Sequence, residues 1–207
     1  MAPPAITRRN SLKALVAGLG LLSIGEQSLA GRQLEEPLAD AVRTALSSAV
    51  ANDAPPVPEF ADSAARLGYQ RWLAANSARL IRQKPDAQAR QEFLQTLWYE
   101  SRRAGLEPAL VLGLVQVESN FRKFAVSRAG ARGYMQVMPF WMRVLGNGDS
   151  GRLFHLQTNL RFGCVILRHY LDRERGDLFL ALGRYNGSRG QAPYPSAVLA
   201  AKGRWMS

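Results

Sequence analysis

Apolar positions along the chain recur mostly at intervals of three and four. Leu67, Trp72, Ala75, Leu80 and Ile81 stand among basic residues and predict an amphipathic helix over 67–82. Pro85-Asp86 opens a second helix, which runs to Arg103 and stops at Gly105. Pro108 suits the first turn of a third helix. Its run Leu110-Val111-Leu112-Gly113-Leu114-Val115-Gln116-Val117 is apolar on nearly every side, so this helix belongs at the centre. Ser119-Asn120 ends it. Residues 121–133 are irregular and glycine-bearing, as in a loop or a small sheet. Helical spacing returns at 139–145, 159–171, 178–185 and 197–205. Strand-like alternation is nearly absent and no internal repeat is visible, so the fold predicted is mainly α, α+β at most.

The first thirty residues read as a targeting segment. Thr7-Arg8-Arg9-Asn10-Ser11-Leu12-Lys13 is a positive stretch resembling the twin-arginine export motif. An uncharged apolar run over 14–25 and the small residues Ser28-Leu29-Ala30 follow, which predicts cleavage before Gly31 and an exported, periplasmic location. The general secretory route remains open, and the bland alternative is an uncleaved helix. Residues 31–58 read as a pendant helical extension ending in a Pro-rich linker, and 59–207 as the main domain.

Composition narrows the chemistry. A single cysteine, Cys164, leaves no disulfide framework or Cys-rich zinc site, and His155 and His169 do not pair in a metal motif. No metal and no cofactor are therefore expected. The 27 basic residues against 16 acidic ones give a net charge of +11, which calls for an acidic partner. Export favours cell wall over nucleic acid, for which no recognised motif appears. No later stretch is long and apolar enough for a transmembrane domain. Oligomeric state is not legible.

One carboxylate stands alone. Glu118 is the only acid between Glu107 and Asp149, at the C-terminal end of the apolar helix. The helix dipole there opposes its charge by only ~0.3–1 kcal/mol. Raising a glutamate to a pKa of about 6 needs ~2.3 kcal/mol, so burial would have to supply most of it. On position alone, a solvated helix-end glutamate is the simpler reading.

The residues that follow reverse this. Glu118-Ser119 precedes Gly133-Tyr134-Met135-Gln136-Val137-Met138-Pro139, then Asn159-Leu160 with Gly163, Tyr170-Leu171, and Arg184-Tyr185-Asn186-Gly187. Over about residues 104–190, the order and spacing of these boxes resemble the soluble-type (SLT) lytic transglycosylases. Their catalytic domain is lysozyme-like and related to goose-type lysozyme. Departures are Tyr134 for the usual Leu, Gly183-Arg184 where Ala precedes the Tyr, and Ser188 where a second Gly often stands.

The resemblance implies a peptidoglycan lytic transglycosylase acting on glycan strands. Glu118 would protonate the glycosidic oxygen after N-acetylmuramic acid, then deprotonate that sugar's C6 hydroxyl to leave a 1,6-anhydro ring. It also implies that Tyr185 orients the carboxyl, against the plain alternative of a core tyrosine. Gln136 and Asn186 offer amides for sugar recognition or for turn support. Ser119 either binds sugar or caps the chain reversal, and Met135 is either a cleft wall or core. Asn159 matches the family but suits helix initiation. The competing readings are a hydrolytic muramidase, which needs a second carboxylate, and a non-catalytic wall-binding module of the same fold.

Overall fold

A computed structural model describes residues 58–144 and 148–206, together with Thr44, Leu46 and Ser47. The expected export segment 1–30 and the rest of the extension lie outside the described residues. Leu46 is an exception to the pendant reading of that stretch, since its side chain is fully buried in the core cluster.

Seven α-helices follow in the described chain. They are α1 (Ser63–Leu80), α2 (Ala87–Arg103), α3 (Pro108–Ser119), α4 (Phe140–Val144), α5 (Leu156–Arg173), α6 (Leu178–Asn186) and α7 (Pro193–Trp205), with a 3₁₀ turn at Ser150–Phe154. The mainly α expectation holds. Among the described residues the only sheet-like pairing is two isolated antiparallel bridges, Val126 to Arg132 and Arg132 to Val137. They make the loop after α3 a compact platform.

Local chemistry sets the helix ends. Asp62, Asp86 and Asp177 each cap a helix by accepting a hydrogen bond from a first-turn backbone N–H, at 2.7, 2.7 and 2.9 Å. At the other end of α3, Asn120 adopts the left-handed region with φ 46°, which turns the chain sharply just after Glu118-Ser119.

Three ends differ from the sequence expectation. Helix α1 begins at Ser63, four residues before the expected start at 67, because Asp62 caps it there. Helix α5 begins at Leu156, three residues before Asn159, so Asn159 sits inside the first turn and does not initiate it. Helix α7 begins at Pro193 and not at residue 197. Two prolines make 193–196 look like a breaker, yet Pro193 and Pro195 fall in the first turn, where a missing N–H leaves no hydrogen bond unmade.

Helix α3 is central, as its all-round apolar surface requires. Leu110, Val111, Leu112, Leu114 and Val115 are buried, and α7 packs against it more extensively than any other helix. The approach is backbone to backbone: a Cβ on Gly113 would come within 2.6 Å of the Lys202 amide nitrogen. Trp205 Nε1 donates to Gln116 Oε1 at 2.9 Å, and Lys202 pairs with Glu107 at 2.5 Å. Helices α2 and α5 are joined by a buried ion pair, Glu100 to Arg161, with N–O distances of 3.0 and 3.1 Å. Alpha-helix α7 thus fixes both ends of the helix that carries Glu118.

Candidate active site

Glu118 occupies the last turn of α3 and is 4% exposed. Burial pushes its carboxyl up from an ordinary 4.5 to about 8. The Tyr194 hydroxyl donates to Oε1 and pulls the other way, because the hydrogen bond favours the ionised form. Oε2 has no hydrogen-bond partner among the described residues. The group is therefore a buried acid near neutral pH, hydrogen-bonded on one oxygen and unpaired on the other. The solvated helix-end reading is set aside.

Tyr194 is the residue the sequence reading missed. It is buried, and burial together with the neighbouring Glu118 keeps its phenol well above its ordinary range, so it stays a donor. The signal for it lay in Pro193-Tyr194-Pro195: read as a helix first turn, that tripeptide turns Tyr194 into α7, the helix packed along α3.

The family tyrosine braces the neighbouring loop. Tyr185, expected to orient the Glu118 carboxyl, donates to the Met135 carbonyl at 2.7 Å. It lies close enough to Tyr194 to help raise that phenol's pKa. Its hydrogen bond holds the loop that carries Met135.

That loop is held from three directions. Asn159 accepts from Met135 N–H at 2.8 Å and donates to the carbonyls of Arg132 at 2.9 Å and Leu153 at 2.8 Å. Gln136, with φ 48°, donates to the carbonyls of Ala125 at 3.1 Å and Gly133 at 2.9 Å. Both of its N–H donors thus support the turn. Met135 is fully buried, and a Cβ on Gly163 would come within 2.3 Å of its sulfur. Met135 is thus core and not cleft wall. Asn159 and Gly163, one helical turn apart on the same face, grip one loop between them.

Ser119 is also buried and donates to the Val115 carbonyl at 3.2 Å, a bond within its own helix. Asn186 donates to Ser188 Oγ at 3.0 Å, and its buried Oδ1 has no partner among the described residues. Of the five accompanying residues expected from sequence, Asn186 alone keeps a buried acceptor unused.

The departures at 183–188 form one unit. A Cβ on Gly183 would meet Arg189 Cα at 2.9 Å, so the chain after α6 can fold back only over a glycine. Arg184, and Arg189 at 2.7 and 2.9 Å, converge on Glu174 and hold its carboxyl at about 2. This clamp fixes the segment linking Asn186 to Tyr194.

No group of three His, Cys, Asp or Glu side chains that could hold a metal occurs among the described residues. Cys164 is buried, and its thiol is pushed up by that burial. None of the described helices is long and apolar enough to cross a membrane.

Residues 97–195 match the family model described as the transglycosylase SLT domain. This stretch is an SLT transglycosylase domain. It runs from α2 into the first turn of α7, so the SLT domain includes Glu118, Tyr185 and Tyr194 alike. A transglycosylase of Enterobacteria phage PRD1 is 33% identical over 115 residues, which cover 56% of this chain and 42% of that protein. Membrane-bound lytic murein transglycosylase C of Mannheimia succiniciproducens is 38% identical over 74 residues, covering 36% of this chain and 20% of that one. Among solved structures, an inactive mutant of lytic transglycosylase Slt from Pseudomonas aeruginosa is similar at a TM-score of 0.49 and 20% identity. That match covers 68% of this chain and 29% of the other. The chain spans less than half the length of each of these relatives.

Proposed function

We propose that this chain is a peptidoglycan lytic transglycosylase that cleaves the N-acetylmuramic acid to N-acetylglucosamine β-1,4 bond and leaves a 1,6-anhydro-muramic end. The observation that carries this reading is Glu118, a buried carboxyl raised to about 8 with one oxygen on Tyr194 and the other unpaired. At neutral pH the carboxyl keeps its proton; with Oε1 accepting from Tyr194, the unpaired Oε2 is the oxygen left to hold it for transfer.

Proton transfer from Oε2 to the glycosidic oxygen breaks the bond to the muramic C1. The carboxylate left behind is steadied by Tyr194 and takes the proton of the same sugar's C6 hydroxyl as that oxygen bonds to C1. One group supplies both halves and returns to its starting state, with no water consumed. Among the described residues no second carboxylate contributes to the Glu118 shift, which favours internal attack over the hydrolytic muramidase. Intramolecular attack also draws on an effective-molarity advantage of up to ~7–11 kcal/mol. Asn186, with its unused Oδ1, suits an N–H donor on the sugar. Residues 1–30 would direct the protein out of the cytoplasm to this substrate.

Mass spectrometry of soluble muropeptides tests the reading. Anhydro products are expected from the parent, and Glu118→Gln should reduce their release by about 10²–10⁴-fold while staying folded. Hydrated, reducing muramic ends would establish the muramidase. Wall binding without any release would establish the non-catalytic module.

A further inference from the structure

The loop between α3 and α4 carries a surface that the chemistry at Glu118 does not use. Residues 121–133 contain four cations, Arg122, Lys123, Arg128 and Arg132, and no acid. None of the four makes an ion pair with a described acid. Arg122 donates through Nε to the Ser119 carbonyl at 3.0 Å, and Arg132 and Lys123 instead lie over the rings of Phe154 and Phe124. Phe124 is 72% exposed and Val126 61%, and the Phe124 and Phe154 rings meet at 5.7 Å. A cavity of about 480 Å³ opens among Gln83, Phe121, Lys123, Phe124 and Val126.

Two exposed apolar side chains beside unpaired cations cost solubility and charge repulsion, and a rigid scaffold holds them there. Gly133 N–H donates to the Ala125 carbonyl at 2.9 Å, Gln136 donates to that same carbonyl, and two β-bridges tie 126, 132 and 137 together. The surface is preorganised, which lowers the entropy cost of taking a ligand. Its chemistry fits a short, partly apolar peptide bearing carboxylates.

We infer that this loop is a docking site for the acidic peptide stems carried on the glycan strand. The inference rests on the proposed function and names what the site recognises beyond the sugar. Placement agrees with it. Lys123 is five residues from Glu118, hence within roughly 18 Å of chain, and a four-residue stem extends about 13 Å. A concave surface with one exposed aromatic ring suits a discrete ligand better than a lipid surface, which takes a broad apolar face.

Calorimetry with a muramyl tetrapeptide tests this without catalysis, on the parent, on Lys123→Glu/Arg128→Glu and on Phe124→Ser. All three positions are exposed, so the variants should fold, and circular dichroism checks that. The parent should bind, more weakly at high salt. The charge variant should lose about tenfold in affinity, and Phe124→Ser should lose several-fold. On glycan strands with and without stems, the parent's preference for stem-bearing strands should fall by the same factor. Absence of tetrapeptide binding by the parent, or equal binding by the charge variant, overturns the inference. So does binding to phosphatidylglycerol vesicles that the charge variant loses while tetrapeptide is ignored. Tetrapeptide binding by a parent that releases nothing from any strand would leave the docking site standing and remove the proposed function.

Discussion

At the scale of single residues, the site turns on what each oxygen of Glu118 faces. Tyr194 stabilises the ionised carboxyl on Oε1, opposing the much larger effect of burial. Tyr194→Phe removes that donor, so Glu118 should hold its proton to higher pH. The alkaline limb of kcat/KM should therefore move above about 8, and kcat at neutral pH should fall by about 10–100-fold with the loss of a charge-assisted bond. A pH-rate profile reads both effects. A limb that stays in place, or moves to lower pH, would show that Tyr194 does not act on the carboxyl. Glu118 was legible in the sequence as a lone acid in a recognisable box, because isolation and order are one-dimensional properties. Its partner was not. That Tyr194 reaches the acid depends on the α3–α7 packing, and no box in the sequence marks this tyrosine before that contact is built.

At the scale of elements, the loop opposite Glu118 is ordered by side chains far away in sequence. Helices α2, α3 and α6 could be drawn from spacing and end signals alone, since both are local, and α1 apart from its first turn. The role of Asn159 could not, because its partners lie 6 to 27 residues away and at no fixed period. The glycines of the boxes follow the same logic. Gly133 has φ 75° and its added Cβ would sit 2.4 Å from Asn159 Nδ2, so positive φ and close approach coincide there. Asn159→Ala takes the side-chain partner from the buried Met135 N–H and from the Leu153 carbonyl, while the Arg132 carbonyl keeps the Val137 N–H, and should cost about 2–4 kcal/mol of stability. Urea denaturation measures it. Asn159→Asp should recover little, because a carboxylate keeps the acceptor for Met135 and loses both donors. A fully stable Asn159→Ala protein would mean that the loop holds its shape without the clamp.

At the scale of the molecule, two carboxylates bend the pH dependence of folding in opposite senses. Glu174, drawn down to about 2 by Arg189 and Arg184, adds stability that is present above the ordinary carboxylate range and is lost as pH falls toward 2. Arg189, the stronger of its two partners, is itself half exposed, so screening keeps that contribution small. Glu118 is the larger case and has the other sign. Its folded pKa of about 8 lies above the ordinary 4.5, so the folded state binds the proton more tightly than the unfolded state does. Stability from the neutral, buried acid is whole below about 4.5 and drains away as pH rises through about 8. A shift of that size corresponds to on the order of 5 kcal/mol, an upper bound once the site relaxes around the charge. Glu118→Gln is neutral at every pH and keeps an acceptor for Tyr194. Parent and variant should therefore melt together near pH 4, and the variant should melt progressively higher as pH rises from 5 to 9. Such a gap is the stability given up to keep a carboxyl buried where it can act. Calorimetric melting at four or five pH values measures it. Parallel curves would mean that Glu118 ionises in the folded protein as readily as in the unfolded chain, and the general-acid assignment would then lose its physical basis.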